Sequence, residues 1–90
     1  MDTYEGLKRL ACHYRLCNQL KKCLEEIGEL QEAIEGYMDG NDTKDHVVEE
    51  IADVEVMTAQ LKILLDAEMM VEKTKEFKVN RQLNRISRGC

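Results

Sequence analysis

Two acidic clusters stand out, Glu25-Glu26-Ile27-Gly28-Glu29 and Glu50-Ile51-Ala52-Asp53. Glu26 and Glu29 are three residues apart, as are Glu50 and Asp53. On a helix, that spacing puts both side chains on one face, a turn apart. Two such pairs on facing helices would bring four carboxylates together. Like charges so close raise one another's pKa and oppose folding, and a divalent cation between them offsets that repulsion. A donor set made only of oxygen suits Mg²⁺ or Mn²⁺. Neither cluster holds a His, and the Glu-x-x-His pairs of di-iron bundles are missing. Spacing alone is equally compatible with an ordinary acidic helix surface, because Glu32, Glu35, Glu49 and Glu55 lie close by. Gly28 and the small Ala52 sit inside the clusters, where they would admit a ligand or a tightly packed helix. A mid-helix Gly costs about 1 kcal/mol relative to Ala. His46 is one turn before Glu50, either at the edge of this constellation or simply on the helix surface.

These residues need helices to position them, and the apolar pattern supplies three. Leu7, Leu10, Tyr14, Cys17, Leu20, Leu24, Ile27, Leu30 (or Gln31) and Ile34 recur at three- and four-residue steps. This predicts a first helix from Thr3 to Tyr37 with a buried stripe, capped by Asp2 or Thr3. Asp39-Gly40-Asn41-Asp42 is a turn in which Gly40 can take the left-handed conformation. A second helix begins at Thr43 or Lys44. Its stripe is Val47, Ile51, Val54, Thr58, Leu61 and Leu65, widened by Val48, Ala52, Val56, Ala59 and Ile63. The short loop implies antiparallel packing. Glu29 lies twelve residues before Asn41 and Glu50 nine after it, so the clusters fall at similar levels of the hairpin. A break near Leu65-Asp66-Ala67, with no Gly or Pro to enforce it, leads to a third helix from Met69 through Phe77 to Ile86. Ser87 to Cys90 are expected to fray.

Ninety residues without Pro, 43% of them hydrophobic, fit one all-α domain over residues 1–90. Residues 1–71 carry seven Lys/Arg against 16 Asp/Glu, whereas residues 72–90 carry six against two. The acidic body and only four aromatics argue against nucleic acid as the main partner. The basic end either meets an anion or is a solvated helix terminus. No apolar run is long enough to span a membrane, and the polar N-terminus does not read as a signal peptide. Cys12, Cys17 and Cys23 share one helix, which suits reduced thiols in a cytoplasm. His13 and Cys17, with Cys12, are candidate zinc ligands or plain surface residues. The broad apolar faces predict a homodimer or homotetramer.

Glu25-Glu26-x-x-Glu29 followed after twenty residues by Glu50-x-x-Asp53 resembles the signature of the MazG-like nucleotide pyrophosphohydrolases. Leu24 to Leu30 looks like that family's first motif and Glu49 to Val54 like its second. The resemblance covers roughly residues 16–65. It implies an antiparallel helical hairpin plus a C-terminal helix, assembled into four-helix units by oligomerisation. It also implies Mg²⁺-dependent cleavage of nucleoside triphosphates to a monophosphate and pyrophosphate, in nucleotide-pool housecleaning. By position, Glu26, Glu29, Glu50 and Asp53 become the expected metal ligands. Glu25 binds a second ion or orients the attacking water, and either Glu25 or Glu29 takes its proton. Lys22, Lys75, Lys78, Asn80 and Arg81 become candidate phosphate contacts, with Gln19 and Gln60 as more remote base or ribose contacts. The chain is shorter than many family members, which would leave part of base selection to a neighbouring subunit. The competing reading is a helical oligomerisation or regulatory module without turnover, which leaves the placement of the acids unexplained.

Overall fold

The computed structural model describes residues 2–89, leaving out the side chains of Tyr4, Leu7, Lys8, Leu10, Ala11, Cys12 and Tyr14. Three helices follow one another: α1 (Thr3–Met38), α2 (Lys44–Leu64) and α3 (Glu68–Ser87), and the described residues contain no strand. Asp2 caps α1 by accepting a hydrogen bond from the Glu5 N–H at 2.8 Å. Thr43 caps α2, its hydroxyl accepting from the His46 N–H at 3.1 Å. Between them, Gly40 adopts φ 77°. The Asn41 and Asp42 N–H groups return to the Gly36 carbonyl at 2.8 and 3.1 Å. Carbonyls orphaned at the end of α1 are thus satisfied by the turn itself.

α1 and α2 run antiparallel. The Gln19 side chain donates to Gln60, Glu26 and Glu29 meet Glu50, and Gly36 lies against Asp42, so partners descend α2 as they ascend α1. The covered side of α1 is Leu16, Gln19, Cys23, Glu26, Leu30 and Ala33, alternating steps of three and four. Among the described residues, only Cys23, Glu26 and Ala33 are fully buried. The predicted stripes are covered only in part: Leu20, Leu24, Ile27 and Ile34 of α1 and Ile51 and Leu65 of α2 are exposed, whereas Cys17 and Leu30 of α1 and Val47, Val54, Thr58 and Leu61 of α2 are half-buried. The cause is visible in the sequence: α1 turns its smaller and more polar seam to α2, which leaves most of its larger aliphatic stripe outside. The first residues of that stripe, Leu7, Leu10 and Tyr14, lie outside the described side chains.

The break before α3 falls where expected but by an unexpected device. Asp66 takes φ 51°, the only non-glycine residue described with positive φ. Asp tolerates this region better than most residues because its short polar side chain can bond locally. The Ala67 N–H closes onto the Lys62 carbonyl at 3.0 Å. α3 then meets α2 but not α1. The molecule is a slab of 57 × 37 × 15 Å with a radius of gyration of 18.1 Å. A compact chain of this length would have about 12 Å.

Candidate metal centre

Helical spacing sets Glu26 and Glu29 one turn apart on α1, and the hairpin brings Glu50 of α2 to them. One oxygen from each of the three carboxylates lies within 4.8 Å of the others. Glu26 is only 8% exposed, in the middle of the α1 seam where an aliphatic side chain would ordinarily sit. The Glu50 side chain is 13% exposed, while Glu29 remains open to solvent.

The two buried carboxylates are held in the same manner. Lys22, four residues before Glu26, places Nζ 3.3 Å from Oε1 of Glu26 and 3.7 Å from Oε2 of Glu25. His46, four residues before Glu50, places Nε2 3.3 Å from Oε1 of Glu50. In each Glu the second oxygen, Oε2, is buried with no hydrogen-bond partner. An unpaired buried carboxylate oxygen costs several kcal/mol unless something positive meets it. Two such oxygens beside a third carboxylate, with no nitrogen or sulfur in the set, fit a hard divalent cation.

The electrostatics match. The Glu26 charge above all, then burial and the Glu50 charge, raise the pKa of Glu29. Lys22 is raised by its hydrogen bond to Glu26. Behind the cluster, His46 Nδ1 lies 2.6 Å from Asp42 Oδ2. That contact, foremost among the causes, raises the pKa of His46 and lowers that of Asp42. Asp42 Oδ1 accepts in addition from the Thr43 N–H at 2.8 Å.

Not every expected residue joins this centre. Asp53 is exposed, one turn along α2 from Glu50, and lies outside the group of three. Glu25 is exposed beside Lys22. Lys75, Lys78, Asn80 and Arg81 belong to α3, which does not meet α1. Lys75 pairs with Glu72 at 3.5 Å and lines a cavity of about 510 Å³ at the α2–α3 elbow with Lys62, Leu65 and Val71. Lys78 lines an adjoining hollow with Met70, Thr74 and Lys75. Asn80 and Arg81 share a groove with Asn84, Arg85 and Arg88, and the Arg81 guanidinium lies 5.7 Å from the Phe77 ring centre. Gln19 and Gln60 bond each other across the seam. A Cβ on Gly28 would meet nothing within 4 Å, so α2 makes no close approach there; the close approach is at Gly36, against Asp42 of the turn. Cys17 Sγ lies 3.9 Å from His13 Nε2, and the Cys12 side chain lies outside the described residues, as does Cys90. The residues that spacing missed are Gly36 and Asp42. Asp42, His46 and Glu50 are separated by four and four, a signal present in the sequence.

No helix among the described residues is long and apolar enough to cross a membrane. No protein-family model, curated protein or solved structure matches this chain.

Proposed function

We propose that this protein is a Mg²⁺-dependent nucleoside triphosphate pyrophosphohydrolase of the MazG-like kind, converting (d)NTPs to (d)NMPs and pyrophosphate. The observation that carries the metal reading is the pair of buried, partnerless oxygens on Glu26 and Glu50 beside Glu29. The step from metal centre to pyrophosphohydrolase rests on the two acidic motifs and their separation.

Glu26, Glu29 and Glu50 would hold the cation, with Asp53 one turn beyond Glu50 as a further oxygen donor. When bound, Mg²⁺ or Mn²⁺ supplies positive charge for phosphate oxygens and acidifies water. Glu25 is exposed next to Glu26 and takes the proton from the attacking water, a role open also to Glu29. Lys22, already beside Glu25 and Glu26, neutralises charge at the phosphate end. Lys75, Lys78, Asn80 and Arg81 act as phosphate contacts from α3 of a neighbouring protomer.

Assembly belongs to the same proposal. The accessible surface is 7588 Å², against about 5400 Å² for a compact protein of this mass. The excess of roughly 2200 Å² per chain is in the range that homodimers bury. Leu20, Leu24, Ile27 and Ile34 on α1 offer the stripe for a second pair of helices, making a four-helix unit.

The test is incubation of purified protein with a panel of (d)NTPs and Mg²⁺, with the products resolved. Monophosphate plus pyrophosphate supports the proposal, diphosphate plus phosphate contradicts the cleavage position, and no turnover by folded protein removes the enzyme. The same exposed aliphatic stripe favours a second reading, a helical oligomerisation module without turnover. Assembly without either turnover or a response to divalent ions would select it.

A further inference from the structure

We propose that His46 is a positioning residue for the carboxylate centre: anchored by Asp42, its ring holds Oε1 of Glu50 and leaves Oε2 to a cation. This rests on the metal reading of the same site and assigns it a supporting shell. The chain of contacts is continuous and begins on backbone. The Asp42 N–H bonds the Gly36 carbonyl at 3.1 Å, and Asp42 Oδ1 takes the Thr43 N–H at 2.8 Å. Asp42 Oδ2 lies 2.6 Å from His46 Nδ1, and His46 Nε2 lies 3.3 Å from Glu50 Oε1. Gly36 makes room for the first link, because a Cβ there would stand 3.0 Å from Cβ of Asp42.

The comparison with Lys22 shows why the residue type matters. Lys22 holds Glu26 through a single atom at the end of a flexible chain. Glu26 and Glu50 are enclosed almost equally, their side chains 10% and 13% exposed, so the two differ in what holds them rather than in burial. An imidazole has two nitrogens on one rigid ring, so fixing one aims the other. Groups that orient a metal ligand in this way typically change metal affinity 10–100-fold when removed.

The test compares wild type with His46→Phe, His46→Gln, Asp42→Asn and Glu50→Gln by Mn²⁺ titration calorimetry. Circular dichroism checks the fold. His46→Phe keeps a planar ring without a donor and is expected to weaken Mn²⁺ binding about 10–100-fold. Gln retains one N–H for Glu50 and is expected to restore most of that loss. Asp42→Asn, which loosens the ring without removing it, is expected to fall between. Should His46→Phe not fold, His46→Ala serves as the variant without a donor. Wild-type affinity in the donorless variant overturns the proposal, and so does a Gln variant as weak as the donorless one. If Glu50→Gln abolishes binding while His46→Phe does not, the metal reading stands and only the role of His46 is lost. If wild type binds no Mn²⁺, both fall.

Discussion

A Cβ placed on Gly36 would lie 3.0 Å from the Cβ of Asp42, whereas one placed on Gly28 would meet nothing within 4 Å. Gly28 and Gly36 of α1 therefore answer differently to the same substitution. Ala in place of a mid-helix Gly gains about 1 kcal/mol of helix propensity. Gly28→Ala is expected to raise the stability of the metal-free protein by that order. Gly36→Ala is expected to gain nothing net and to weaken divalent binding, since it pushes on the residue that anchors His46. Urea unfolding measures the first effect and Mn²⁺ titration the second.

Glu29 sits between two neighbours of its own charge, and its pKa is raised chiefly by Glu26. Glu29→Gln is expected to raise the melting temperature of the metal-free protein and to cut the further rise that divalent ions give. A cation at a hundred times its dissociation constant stabilises wild type by about 2.7 kcal/mol. Melting curves of both proteins with and without Mg²⁺ decide the matter. A variant that responds to Mg²⁺ as wild type does would remove Glu29 from the ligand set.

The pH dependence follows from three shifts. Glu29 and His46 are raised above their ordinary 4.5 and 6.5. Each therefore contributes stability that is complete below its ordinary value and lost as pH rises through the folded one. Asp42 is lowered from 3.8, so its contribution is present above that value and lost as pH falls. The metal-free protein is expected to be most stable in weak acid and to lose stability as pH rises from the ordinary imidazole value of 6.5 through the higher one His46 has in the fold. In His46→Gln that last decline should be absent. Urea titrations across the range measure it, and an unchanged decline in the variant would assign it to another group.

Asp66 joins α2 to α3 at φ 51°. Left-handed backbone is tolerated by Asn and Asp and strained for β-branched residues. Asp66→Asn should be near neutral, and Asp66→Val should cost about 1–2 kcal/mol. Equal stability of the two by urea unfolding would show that the elbow relaxes out of this conformation.

Leu24 is 70% exposed in the single chain. On a free surface, Leu24→Glu would change stability by no more than about 0.5 kcal/mol. If the α1 stripe is covered by a second copy, as proposed, the variant is expected to shift sedimentation toward monomer and lose helical signal on dilution. Wild-type sedimentation by the variant would exclude that face.

Much of this architecture was legible in residue types. Asp39-Gly40-Asn41-Asp42 marked the turn because Gly40 alone there accepts φ 77° without strain. The steps of three in Glu26/Glu29 and the matching distances to Asn41 placed Glu50 at their level. The buried face of α1 was not legible. Leu20, Leu24 and Ile27 carry the stronger hydrophobic period, yet α2 covers Gln19, Cys23 and Glu26. Periodicity shows that a face is apolar but not which neighbour covers it. Asp53 shows a similar limit, since equal spacing along α2 does not give equal burial against α1. The elbow at Asp66 carried no Gly or Pro, so only the change of stripe hinted at it.

The Gln19–Gln60 bond and the Glu26–Glu50 level stand ten or fewer residues apart on each helix of one seam. Sliding α2 along α1 by one turn would oppose Gln19 to Val56 or Leu64 and leave its amide without Gln60. Polar pairs in a seam specify register at some loss of stability. The Gln19–Gln60 bond works as one peg, and a cation shared by Glu26 and Glu50, as proposed, would add a second at another height. The groups that make this seam weak are those that decide how far along it α2 comes to rest.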